Sequence, residues 1–136
     1  LTTINPGREN MKRTMTALLA VAGLGVSGLA TADSFANVYT CKVKDDVEME
    51  AVQEANSKWL KFVNAKVEGG GITSSVGTAV VGNFETFIFV DTYPSLSAWA
   101  ATQELLDSDA GEEVDGLFED LTDCSKNSLW KFEDTK

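Results

Sequence analysis

Histidine is absent from this chain, cysteine and proline each occur twice, and basic residues number 11 against 21 acidic ones. Each shortage closes off a kind of chemistry. Without an imidazole there is no Ser-His-Asp or Cys-His relay, and no His-ligated zinc or haem. Two cysteines without Cys-x-x-Cys spacing make neither a thiolate metal cage nor a dithiol redox motif. The formal net charge of −10 repels phosphate backbones and anionic lipid, so nucleic acid is not an expected partner. No glycine-rich phosphate cradle follows a strand; Gly69-Gly70-Gly71 precedes one instead.

Long apolar runs are also scarce, and the longest, Ala17 to Leu29, sits near the start. It is short for a membrane span of about 20 residues and is interrupted by Gly23, Gly25 and Gly28. Lys12 and Arg13 precede it, and Ala30-Thr31-Ala32 follows, which is the order of a secretory signal. Residues 11–32 are therefore expected to be a signal peptide cleaved before Asp33. Residues 1–10 show no periodicity, and Arg8-Glu9-Asn10 matches what a purine-rich ribosome-binding site would encode. That segment is read as upstream read-through, with translation starting at Met11. The expected mature protein, 33–136, is one domain in the bacterial periplasm or outside the cell, with no stable membrane association after cleavage. Losing Arg8, Lys12, Arg13 and Glu9 leaves it 8 bases against 20 acids, a net charge of −12. Cys41 and Cys124 both fall in this part, and an even count in an oxidising compartment predicts one structural disulfide.

What the chain does have is a phenylalanine-rich stretch, Asn83 to Asp91, apolar on both faces. Phe87 and Phe89 point one way, and Phe84, Thr86, Ile88 and Val90 the other. Such a strand belongs in mid-sheet, covered front and back. Around it the pattern gives a first strand over Phe35–Val43, a turn and helix start at Asp45-Asp46, and a helix from Val47 to about Ala65. On that helix Val52, Ala55, Trp59, Phe62 and Val63 form one stripe. A second strand is expected over Ile72–Val81, joined to Phe84 through a two-residue Gly82-Asn83 hairpin that pairs Thr78 with Phe87 and Val76 with Phe89. Next comes a helix capped by Ser95 or Ser97 that breaks near Ser108–Gly111. A further helical stretch carries Val114, Leu117, Phe118 and Leu121, and Leu129–Phe132 makes a short last strand. The order β-α-β-β-α-β is that of an α+β ferredoxin-like sandwich, which lays the last strand antiparallel beside the first and brings Cys41 close to Cys124.

Two features invite a functional reading. The segment Glu104 to Asp123 is densely acidic with no base, but an EF-hand loop from Asp107 would need glycine and glutamate where Glu112 and Phe118 stand. A solvated helix face accounts for it better, and no metal site is expected. The aromatic set Tyr39, Trp59, Phe87, Phe89, Trp99 and Trp130 serves either as core or as the wall of an apolar cleft between sheet and helices. Asn37, Asn56 and Thr78 would be its polar groups.

The stretch Phe87-Ile88-Phe89-Val90-Asp91-Thr92-Tyr93-Pro94-Ser95-Leu96-Ser97-Ala98-Trp99, a strand, a short turn and a Trp-bearing helix, resembles the antibiotic-biosynthesis-monooxygenase type of dimeric α/β barrel. The resemblance implies a homodimer in which two ferredoxin-like units join their sheets and cover the second face of the Phe87 strand. It also implies substrate contacts from an asparagine on the first strand and a tryptophan on the second helix, which are Asn37 and Trp99 here. Haem-degrading members use a histidine on a later helix, where this chain has Asp109-Ala110-Gly111-Glu112.

The expected function is binding of a small apolar or aromatic molecule, without a cofactor, by Asn37, Tyr39, Asn56, Trp59, Phe87, Phe89 and Trp99. One alternative is a cofactor-free monooxygenase on the same fold. The other is a non-catalytic structural or interaction protein whose aromatics are all core.

Overall fold

The computed structural model describes residues 33–135; the expected upstream segment and signal peptide, 1–32, lie outside them. The chain folds as β1 (Ser34–Val43), α1 (Met49–Lys66), β2 (Thr73–Thr78), β3 (Phe87–Tyr93), α2 (Leu96–Leu106), α3 (Asp109–Asp115), a 3₁₀ turn at Gly116–Phe118, and β4 (Thr122–Phe132). The four strands make one sheet in the order β2-β3-β1-β4, with every neighbouring pair antiparallel. This is the expected ferredoxin-like α+β architecture, and β3 lies in the sheet's interior.

Period-two alternation decides which side of the sheet each residue faces. Register pairs Phe35 with Tyr93, Asn37 with Asp91, Tyr39 with Phe89 and Cys41 with Phe87, so these residues share the face that the helices cover. Helix α1 buries Val52, Ala55, Asn56, Trp59 and Val63, spaced three or four apart along one stripe. Trp59, Val63, Val67, Ile72, Tyr93 and Ala98 form one apolar cluster, and Cys41, Val52, Phe87 and Phe89 form the other.

The connections explain where the helices stop and start. After α1, Gly69, Gly70 and Gly71 all take positive φ, which a side chain would resist. Asn64 holds this loop against the helix, donating to the carbonyls of Leu60 (3.1 Å) and Ile72 (2.8 Å) and accepting from the Ile72 amide (3.0 Å). Ser95 caps α2 by accepting from the Ala98 amide at 3.0 Å, and Ser108 caps α3 through the Gly111 amide at 3.2 Å. Gly111 is required by close approach: a Cβ there would lie 2.2 Å from the Leu105 carbonyl oxygen.

The predicted disulfide between Cys41 and Cys124 is formed. A β-bulge makes it possible. The register runs Thr40 opposite Lys126 and then Cys41 opposite Cys124, leaving Ser125 as the extra residue of β4. No helix among the described residues is long and apolar enough to cross a membrane.

Three expectations need correction. First, the Gly82-Asn83 hairpin is not closed. The expected pairs Thr78–Phe87 and Val76–Phe89 are present, but the ladder ends there and Val81 does not pair with Phe84. Asn83 instead accepts the Glu85 amide at 2.9 Å, a local turn that competes with the ladder. Val80, Val81 and Phe84 are 88%, 89% and 73% exposed, so no burial repays closing the tip. Second, β4 begins at Thr122 rather than Leu129, because backbone pairing with β1 carries a polar edge strand that has no apolar alternation. Third, Asp45-Asp46 does not start α1. Asp46 has φ 63 in a turn, and the helix begins at Met49 after Glu48.

Candidate functional site

Across the middle of the helix-covered face runs a rung of polar residues: Ser74 on β2 opposite Asp91 on β3, and Asp91 opposite Asn37 on β1. Polar groups this deep need partners. The Ser74 hydroxyl donates to Asp91 Oδ1 at 2.5 Å, and Asn56, coming down from α1, donates to Ser74 Oγ at 2.9 Å. Asn37 Nδ2 donates to the Tyr39 hydroxyl at 2.7 Å. Asp91 is 5% exposed and Asn37 2% exposed.

Burial sets the electrostatics. Desolvation pushes the Asp91 carboxyl up to about 6, opposed by the Ser74 hydrogen bond and reinforced by the negative charge of Asp115. Tyr39 is pushed up to about 12 by burial and then by the charges of Asp91 and Asp115. Tyr93 also moves upward, first through burial, and Asp115 moves upward through its own partial burial and Glu119. Asp91 is thus a carboxyl that burial holds above the usual carboxylate range inside an aromatic setting.

Beside this rung the sheet and helices form a half-open cavity of ≈ 680 Å³. Tyr39, Trp59, Phe89 and Phe118 supply aromatic wall, Asn56, Asp91 and Gln103 supply polar groups, and Asp107, Glu112, Asp115 and Glu119 stand around it. Phe89 meets both Phe87 (ring centroids 5.0 Å apart) and Phe118 (5.4 Å) edge to face. Gln103 Nε2 is buried without a hydrogen-bond partner among the described residues.

Of the residues singled out from sequence, Tyr39, Asn56, Trp59 and Phe89 line the cavity. Asn37 lies behind it, bonded to Tyr39. Phe87 sits deeper, in the cluster with Cys41 and Val52, and Trp99 packs against the Trp59–Tyr93 cluster with its indole N–H unpartnered among the described residues. Sequence reasoning passed over Asp91, Ser74, Gln103 and Asp115. The signal for Asp91 was present: Phe87, Phe89, Asp91 and Tyr93 continue one alternation, and β3 extends through Tyr93 with all four buried. The strand was expected to run out at Asp91, which hid a carboxylate on an inward position.

No protein-family model matches the chain, and no curated protein matches it. Solved structures do share its fold. SnoaB, a cofactor-independent oxygenase from Streptomyces nogalater, superposes with a TM-score of 0.55 at 10% identity, covering 76% of this chain and 97% of its own. A nipsnap family protein of unknown function from Agrobacterium tumefaciens gives 0.54 at 13% identity, covering 74% and 89%. A putative antibiotic biosynthesis monooxygenase from Nitrosomonas europaea gives 0.50 at 14% identity, covering 73% and 88%. The resemblance drawn from the Phe87–Trp99 stretch therefore holds at the level of fold.

Proposed function

We propose that this protein is an exported, homodimeric α/β-barrel domain that binds a small, largely apolar or aromatic molecule in the cavity between sheet and helices. The observation that carries the reading is the cavity itself: aromatic walls from Tyr39, Trp59, Phe89 and Phe118 around a few convergent polar groups, the usual make-up of a small-molecule site. Asn37 and Trp99 would act from behind the lining, Asn37 by orienting the Tyr39 hydroxyl. The disulfide is in keeping with an oxidising compartment.

The homodimer is supported by the opposite face of the sheet. Val38, Ile88 and Val90 stand partly exposed there, flanked by Trp130 and Phe132, and no helix of the described residues covers them. A second copy laying the same face against this one would bury both.

A second reading, a cofactor-free monooxygenase, is favoured by Asp91. A buried carboxylate held above the usual carboxylate range is suited to take a proton from an electron-rich aromatic substrate, whose carbanion then reduces oxygen. SnoaB, of like fold, is a cofactor-independent oxygenase.

Titration of the purified protein with dihydroxyaromatic compounds, followed by calorimetry and by an oxygen electrode, separates the two. Saturable heat without oxygen consumption supports binding alone. Uptake that is lost in Asp91→Asn supports the oxygenase, and silence in both measurements across the series removes this reading of the cavity. Light scattering that finds a strict monomer at micromolar concentration removes the barrel.

A further inference from the structure

The cavity's charge is one-sided. Asp91 from β3, Asp107 at the end of α2, Glu112 and Asp115 from α3, and Glu119 beyond the 3₁₀ turn all line it, with no lysine or arginine among the described lining residues. Asp91 is the telling member. One of its oxygens accepts the Ser74 hydroxyl, the other makes no hydrogen bond among the described residues, and the side chain is almost wholly withdrawn from water. Gln103 Nε2 in the same wall is buried without a partner among the described residues; as a donor it calls for an acceptor and is no contact for a cation. A carboxylate drawn out of water with a single side-chain donor is costly to keep charged, and a ligand that brings another donor lowers the cost.

Three kinds of ligand compete for such a site. An anion or phosphate ester would meet uncompensated like charge in a partly dehydrated space. A compact divalent cation needs several oxygens converging on one point, and no three acidic or thiol groups among the described residues do so. A larger cation with diffuse charge fits both features, because Trp59, Tyr39, Phe89 and Phe118 line the same cavity as the carboxylates and an aromatic face attracts a cation through its negative quadrupole potential. The exposed acids Asp107, Glu112, Asp115 and Glu119 add long-range attraction that salt screens, while the buried Asp91 supplies the part that persists.

We propose that the cavity selects an organic cation, a protonated amine on an aromatic or apolar body, with its ammonium donating to Asp91 and its body against Trp59, Phe89 and Phe118. The proposal rests on the reading of this cavity as the ligand site and narrows it to one class.

The test compares tryptamine, its uncharged counterpart tryptophol and the anionic indolepropionate, titrated calorimetrically into the disulfide-intact protein in low salt. Tryptamine is expected to bind at least about tenfold tighter than tryptophol, with indolepropionate weakest. Asp91→Asn should narrow that preference by about tenfold, and Asp115→Asn, at a more exposed position, should narrow it by less. Circular dichroism establishes that each variant is folded, and Asp115→Asn keeps the test alive if Asp91→Asn is not. Equal or tighter binding of tryptophol overturns the cation proposal and leaves the cavity reading standing. Absence of binding by all three compounds removes both. Displacement of tryptamine by saturable, stoichiometric calcium binding overturns the proposal in favour of a metal site.

Discussion

The sheet has two unlike faces. On one, Phe35, Tyr39, Phe87, Phe89 and Tyr93 are covered by α1, α2 and α3, and the polar residues Asn37, Ser74 and Asp91 are held in a hydrogen-bonded rung. On the other, Val38, Ile88, Val90, Trp130 and Phe132 meet none of the described helices, and the last two are more than half exposed. Both faces are apolar, because β3 is apolar at inward and outward positions alike. The contrast teaches that apolar content alone does not say what covers a strand. The helices of this chain suffice for one side, and the other is left without a helix over it among the described residues.

Four measurements break or sharpen that contrast. The largest effect is expected from the disulfide, which ties the first and last strands on the helix side across a sequence separation of 83. Replacing Cys41 and Cys124 together by serine should lower stability by about 4–5 kcal/mol on the chain-entropy model, read by urea denaturation. Next is a pair of changes on adjacent residues of β3. Phe89→Ala, which opens the aromatic cluster with Phe87 and Phe118, should cost about 3–5 kcal/mol. Val90→Lys, one residue along and on the bare face, should leave most of the monomer's stability while abolishing the proposed dimer in sedimentation. Should Val90→Lys unfold the monomer as severely as Phe89→Ala, the two faces are not distinct.

A smaller effect, of opposite sign, is expected at Asp91. Its carboxyl is pushed up to about 6, so between roughly pH 4 and pH 6 the folded state binds more protons than the unfolded chain. Stability contributed by the protonated form is present at low pH and falls as pH rises through that window. Asp91→Asn should therefore stabilise the protein by about 3 kcal/mol near pH 7, an advantage that shrinks toward zero below about pH 4. Equal stabilities of the two proteins across this range would show that the buried carboxyl is not destabilising. The smallest effect is at the open tip, where Val81→Ser should change stability by less than about 0.5 kcal/mol, because that side chain packs on nothing.

Much of this fold could be read from the residues because local patterns and tertiary demands agree. The Val52–Val63 stripe, the Ser95 cap and the alternation of Phe87 and Phe89 each report a packing environment directly. Cys41 and Cys124 carried long-range information of a kind the rest of the chain lacks. Where legibility failed, the missing information was three-dimensional. The polar first half of β4 becomes a strand only because β1 offers it a hydrogen-bonding edge, and nothing in Thr122–Lys126 announces that. The hairpin tip has the right turn residues but no neighbour to bury Val81 and Phe84. In the candidate site, aromatic residues advertised a cleft, whereas Asp91 was one acid among many. Only its place after Phe87 and Phe89 distinguishes it, and that signal requires carrying the strand two residues further than Thr92-Tyr93-Pro94 invites.

The bulge at Ser125 makes the cystine a check on strand alignment. In an unbulged β4 that kept Asn127 and Leu129 in place, the thiol at 124 would project from the opposite surface to Cys41, out of bonding reach. Oxidation of the pair would then act as a ratchet, retaining chains whose terminal strand has docked in step and leaving slipped ones reduced and open to correction.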